Sequence, residues 1–282
     1  MQTTAPERRQ ITAVSRPLDK AFQGIVTTGA LSAFVVLALI AGFLFLRSTE
    51  VFRLFGFDFI TSSKWDAGSV EDGRAPQFGV AAMLLGLIIV STMAMIFALP
   101  FVMGTSLFLE YYISRRIRFV LVSILDLMAA IPSIIYGLWG YLVLMPYASH
   151  WAASINKYLG WIPIFSVDRA NFDASPFVAS LVLCLMILPI ASSVTREVYS
   201  RAPQDQITAA YALGASRWGA IRAVVLPFGL SGLVGGMLLG LGRALGETIA
   251  IFFVLNLIFD VNIYKILNPE GGAIASMIVA KF

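Results

Sequence analysis

The chain has 282 residues, 59% of them hydrophobic and only 13% charged, an apolar content that one soluble core cannot hide and that reads as a membrane protein. One cysteine, Cys184, and one histidine, His150, exclude a disulfide framework and argue against histidine-centred catalysis and the usual zinc constellations. The net charge of +4 lies in the gaps between apolar runs rather than on one soluble face, which fits membrane topology and not nucleic acid.

In chain order, the basic residues Arg8, Arg9, Arg16 and Lys20 precede an apolar run over 25–46. That run is longer than a signal-peptide core and no small-residue cleavage site follows it, so a retained first helix is expected. Further runs over 78–103, 119–145, 177–194 and 227–257 are each long enough to cross about 30 Å of hydrocarbon. The reading is therefore an all-α polytopic transmembrane bundle with five visible spans. Residues 1–24 are an N-terminal tail, 47–77 an external loop and 78–282 the core.

Orientation comes from the basic residues. The tail carries four basic and two acidic residues, 104–118 three against one, and 195–222 four against two, whereas 47–77 carries four against five and 146–176 two against two. By the positive-inside rule the first three face the cytoplasm and the last two lie outside. Trp65, Trp151 and Trp161 fall near the external span ends, at the level that suits amphipathic rings. Residues 271–282 are too short to span, so five crossings leave the end of this sequence outside.

The segment over 204–227 is patterned. Asp205 and Gln206 precede a short helical stretch, Gly214 stands where a left-handed helix end is needed, and Ser216 can cap a second helix that runs to Pro227. In the fifth run, Gly229, Gly232, Gly236 and Gly240 lie within an arc of roughly 80° on an ideal helix, together with Arg243 and Glu247. A backbone can approach such a stripe closely, and charges at its end avoid lipid, where each would cost on the order of 3 kcal/mol. Arg243 and Glu247, four residues apart, are read either as a self-contained ion pair or as an oxyanion-binding arginine held by its carboxylate. Asp126, the remaining charge within a run, is read as structural, either interfacial or paired with Arg118 or Arg243.

Thr208-Ala209-Ala210, Gly214, and then Val224, Leu226 and Pro227 resemble the cytoplasmic loop of binding-protein-dependent ABC importer permeases, with Thr208 in place of the usual glutamate and Val224 in place of isoleucine. The stretches IPSIIYGLWG (131–140), GRALGETIAIFFVL (242–255) and FDFITSSKWDAG (57–68) are similar to the PstC-type phosphate permeases of that family. The resemblance implies the ABC type I importer permease fold, with a sixth span after the five seen here. It implies a bacterial inner-membrane location, a PstA-like permease partner, a PstB-like ATPase dimer docking on Thr208, Ala209, Ala210, Gly214 and Pro227, and a PstS-like periplasmic phosphate-binding protein. No Gly-x-x-x-x-Gly-Lys-Ser/Thr loop occurs in the chain, so no cofactor is expected on it, and ATP and Mg are expected on the ATPase. The implied function is phosphate import past Arg243 and Glu247. Two alternatives stay open: a secondary transporter using Arg243, Glu247 and Asp126 as a proton relay, and a membrane sensor or scaffold for phosphate signalling.

Overall fold

The computed structural model describes residues 17–66, 68, 75–168, 171–255, 265–269 and 272–281. The tail over 1–16 lies outside them. Helix α1, Pro17–Phe55, has 39 residues, about 58 Å at 1.5 Å per residue. The helix therefore extends past the expected 25–46 at both ends and takes in part of the expected loop. Residues Met1–Phe57 form one compact unit and Asp58–Phe282 another.

The second unit opens with the short helix α2, Asp58–Thr61, and a two-stranded ribbon of β1, Trp65–Asp66, and β2, Gln77–Phe78, in which Trp65 stands opposite Phe78. Then come α3, Ala81–Leu107, continuing as a π-helical turn to Tyr112, and α4, Arg115–Ala130. Next are α5, Ser133–Trp139, a π-helical turn over Gly140–Leu144, and α6, Met145–Leu159. After these stand α7, Pro176–Ser200; α8, Gln204–Ala212; and α9, Arg217–Ala220, which passes through a π-helical turn at Ile221–Val225 into α10, Leu226–Leu245. Two short helices follow, α11, Ile249–Val254, and α12, Ile274–Lys281.

Helix α7 is the centre of this unit. Val178, Leu183, Met186, Ile187 and Ala191 are all at most 1% exposed, sealed by α3 on one side and α10 on another. Helix α10 can come close because of its glycine stripe. A methyl group on Gly229 would stand 2.1 Å from the Tyr199 ring, one on Gly232 2.4 Å from Val198, one on Gly236 2.7 Å from the Ala191 carbonyl oxygen, and one on Gly240 2.5 Å from Ile187. Each distance is shorter than a Cβ tolerates, so glycine permits this approach, and the surface that meets the stripe belongs to α7 of the same chain.

Two of the expected spans are not single helices. The third, expected over 119–145, turns by 93° between α4 and α5–α6. Pro132 causes the break: it has no N–H to give the Met128 carbonyl, and Ile131 before it is extended (ψ 129°). That carbonyl accepts instead from the Ile131 N–H at 3.3 Å and from the Tyr136 hydroxyl at 2.9 Å. The fifth, expected over 227–257, begins earlier, at Arg217, and stops at Leu245 before α11. Pro227 does not start it. The proline stands inside a continuous helix two residues past a π-helical turn, as Pro146 does after Gly140–Leu144. In both places the wider turn precedes the residue that cannot make the ordinary bond four residues back.

Candidate functional site: two helix breaks and a helical knob

The two breaks meet. Helix α5 crosses α11 so closely that a methyl group on Gly137 would stand 2.7 Å from the Ala250 Cα, and one on Gly140 would meet Val182 and Val254 at 2.6 and 3.2 Å. Arg243, near the end of α10, lies close enough to Tyr136 on α5 for its charge to act on that phenol. Discontinuous helices packed together in a membrane protein free backbone polar groups where an ion can use them, which is tolerated only where the irregular backbone is sheltered by protein or lines a cavity.

Arg243 and Glu247 do not share one helix face. Gly242 and Gly246 flank the arginine, and glycine costs roughly 1 kcal/mol relative to alanine in a helix. The helix closes at Gly246, whose N–H donates to the Gly242 carbonyl at 3.2 Å. Glu247 stands beyond that end, 7% exposed, where its Oε1 accepts from the Ala250 N–H at 3.2 Å. The carboxylate thus caps the start of α11, and among the described residues no ion pair joins it to Arg243. Arg243 Nε is buried and has no hydrogen-bond partner among them. A buried donor left unpaired costs about 1–3 kcal/mol, and more when charged.

Asp126 is exposed on α4. Arg118 pairs with Glu110 rather than with Asp126. Among the described residues, no ion pair joins any two of Arg243, Glu247 and Asp126. Composition did not single out Tyr136, Gly137 or Gly140. The usable signal was Pro132, whose pre-proline restriction marks a helix end.

At the opposite end of α10, α8 and α9 form a compact knob. Gly214 has φ +84°, the left-handed geometry that ends α8 without a Cβ penalty. Its neighbour Ala215 donates to the Ala210 carbonyl at 3.0 Å, and the Ser216 Oγ accepts from the Gly219 N–H at 3.1 Å to start α9. Helix α8 begins at Gln204, so Asp205 and Gln206 lie inside its first turn rather than before it. Ile207 anchors the helix in a cluster with Leu107, Tyr199, Ile221 and Val225. The Arg217 guanidinium stands 5.1 Å from the centre of the Tyr112 ring, tying α9 to the end of α3. Thr208 and Ala209 are exposed, and the Thr208 hydroxyl donates to the Gln204 carbonyl at 2.9 Å. Leu213 is 90% exposed and Trp218 50%, an apolar surface on a segment that carries Asp205, Arg217 and Arg222.

Known proteins share this arrangement of sequence. Residues 101–280 match the family described as binding-protein-dependent transport system inner membrane component. The phosphate transport system permease protein PstC 2 of Mycobacterium tuberculosis is 38% identical over 239 residues, covering 84% of this chain and 73% of that protein. The PstC proteins of Pasteurella multocida and Haemophilus influenzae are 35% and 34% identical, covering 90% and 94% of this chain and 78% and 82% of their own lengths.

Proposed function

The chain belongs to the family of binding-protein-dependent transport system inner membrane components, and from that premise we propose that it is the permease subunit of a phosphate importer driven by ATP hydrolysed on a separate chain. The substrate is suggested by the relatives, which are phosphate transport permeases. The observation that carries the mechanism is Arg243, a half-buried guanidinium with an unpartnered Nε at the junction of two broken helices. A planar fork of fixed donors suits a tetrahedral oxyanion, and no carboxylate among the described residues neutralises it. Glu247 keeps α11 in place beside the path, and Asp126 has a structural role on α4.

The knob formed by α8 and α9 supplies the coupling. Its exposed Thr208, Ala209, Leu213 and Trp218 seat against a PstB-like ATPase dimer that holds ATP and Mg. Ile207 passes the movement to Tyr199 on α7 and to Ile221 and Val225 below α10. Because Thr208 bonds its own helix, docking relies on shape and apolar contact rather than on a charge at that position. A PstA-like permease completes the pathway, and a PstS-like protein delivers phosphate at the external side. The α8–α9 end and the N-terminus face the cytoplasm, as their arginines favour.

The test is uptake of radiolabelled phosphate by vesicles containing the full complex, with sulfate as competitor. Uptake that needs ATP and resists sulfate is expected. Arg243→Ala should lower it roughly 10- to 100-fold, the worth of one hydrogen-bonded charged contact. Arg243→Lys should keep the charge and lose the fork, giving an intermediate rate. Normal phosphate uptake by Arg243→Ala would overturn the assignment.

A further inference from the structure

A second basic site lies away from Arg243, at the α8–α9 end of the bundle. A cavity of about 290 Å³ is lined by Arg115, Arg118, Phe119 and Val122 from α4 and by Arg196 from α7. The volume is at the small end of ligand pockets, which span roughly 300–1,000 Å³. Three arginines line it against one carboxylate: Glu110 pairs with Arg118, while Glu197, next to Arg196 in sequence, pairs with Arg201 instead. Among the described residues, Arg115 and Arg196 have no carboxylate within ion-pairing distance. Arg196 is only partly exposed. No acidic residue stands in the first turn of α4.

The wall of the cavity is apolar on one side, and the apolar character continues along α4. Phe119, Val120, Ile124 and Leu127 are 75, 55, 47 and 67% exposed. Positive charge at the end of a membrane helix, continued by an apolar strip running into the membrane, has the polarity of a phospholipid: oxyanion at the surface, chains alongside the helix. We propose that the Arg115–Arg118–Arg196 cavity binds a phosphate group, supplied by an anionic phospholipid whose chains lie along α4. Arg115 and Arg196 hold the phosphodiester oxygens, and Arg118, fixed by Glu110, supplies the background charge. Basic pockets between membrane helices recognise headgroups in this way, at about 1 kcal/mol for each arginine near the surface.

This inference rests on membrane embedding and not on phosphate import, so it is tested without transport. The full complex is reconstituted without ATP in membranes of phosphatidylcholine with a minor fraction of phosphatidylglycerol. Co-purified lipid is then quantified by native mass spectrometry. Retained phosphatidylglycerol should fall roughly fivefold for Arg115→Gln and again for Arg196→Gln, with Arg201→Gln, whose arginine is paired outside the cavity, unchanged. Arg115 is exposed, so its variant is expected to fold. As a readout that presupposes folding, phosphatidylglycerol should raise the unfolding temperature of the parent complex and not of the double variant. A second arm measures binding of radiolabelled inorganic phosphate in pure phosphatidylcholine. Phosphate binding that depends on Arg115 and Arg196, without selective lipid retention, would overturn the lipid as the source. Lipid retention and phosphate binding both indifferent to the two substitutions would overturn the site itself.

Discussion

Arg243 and Glu247 illustrate what a four-residue spacing does and does not decide. Their sequence separation places them on one face only if the helix continues through both, and the poor helix formers Gly242 and Gly246 weaken it there. With the helix ended at Leu245, the two charges take different tasks. The arginine keeps an unpartnered buried donor, and the carboxylate accepts an α11 backbone N–H. A consequence separates capping from ion pairing. Glu247→Gln retains an acceptor oxygen and should leave thermal stability nearly unchanged, whereas Glu247→Ala should lose about 1 kcal/mol, the usual worth of a side-chain cap. Thermal unfolding of the purified complex in detergent checks this. A Gln variant as damaged as the Ala variant would mean that the negative charge, not the cap, is what Glu247 contributes. Asp126 was legible as an unusual charge within an apolar run, but the pairing of its candidate partner was not. Arg118 pairs with Glu110, eight residues earlier in the π-helical turn, because the chain turns at the extended Ile113 between that turn and α4.

Among elements, the glycine stripe of α10 was readable from its period, since residues 229, 232, 236 and 240 recur on one helical face. The identity of the opposing surface was not, because a stripe of small residues says only that something comes near. In the folded chain that surface is α7, from Ile187 to Tyr199, so the stripe acts within the subunit. Gly236→Ala would press a methyl group to 2.7 Å from the Ala191 carbonyl, a backbone atom that cannot turn aside, whereas at Gly235 a Cβ would meet nothing within 4 Å. Overpacking of this kind costs about 1–3 kcal/mol. Gly236→Ala should therefore lower the unfolding temperature and the yield of assembled complex. Gly235→Ala should be neutral or slightly stabilising, because alanine favours the helix. Equal behaviour of the two variants in a thermal-shift assay would contradict the α7–α10 packing. The break at Pro132 was also available in the sequence through the rule on pre-proline residues. An uninterrupted apolar run obscured it, because hydrophobicity reports burial or membrane contact and is silent about direction. The π-helical turns before Pro146 and Pro227 leave no mark in hydropathy at all.

For the whole molecule, apolar length located the membrane helices and the charge bias gave a direction, and both follow from properties summed over many residues. The neighbours of each helix depend on shape and had to come from the fold. Direction can be measured with the chain's own composition. Cys184 is the only cysteine and is buried, 5% exposed, on α7. Cys184→Ala therefore gives a background without thiols, at the modest cost of a small apolar replacement. Two reporters flank α7, whose 25 residues extend about 37 Å, more than the hydrocarbon thickness. Asn171 lies before its first turn and Thr208 on the knob after its last, and both are exposed. In that background, Asn171→Cys should react with a membrane-impermeant maleimide in right-side-out vesicles, and Thr208→Cys only in inverted or permeabilised ones. Bound ATPase should then shield Thr208→Cys and leave Asn171→Cys untouched if the proposed docking on the knob, with its exposed Leu213 and Trp218, is right. Labelling of both positions from one side would place α7 out of the membrane and remove the basis for a pathway beside it. The reversed pattern would keep the spans but turn the arginines of the α8–α9 end outward, against the charge rule and away from any cytoplasmic ATPase.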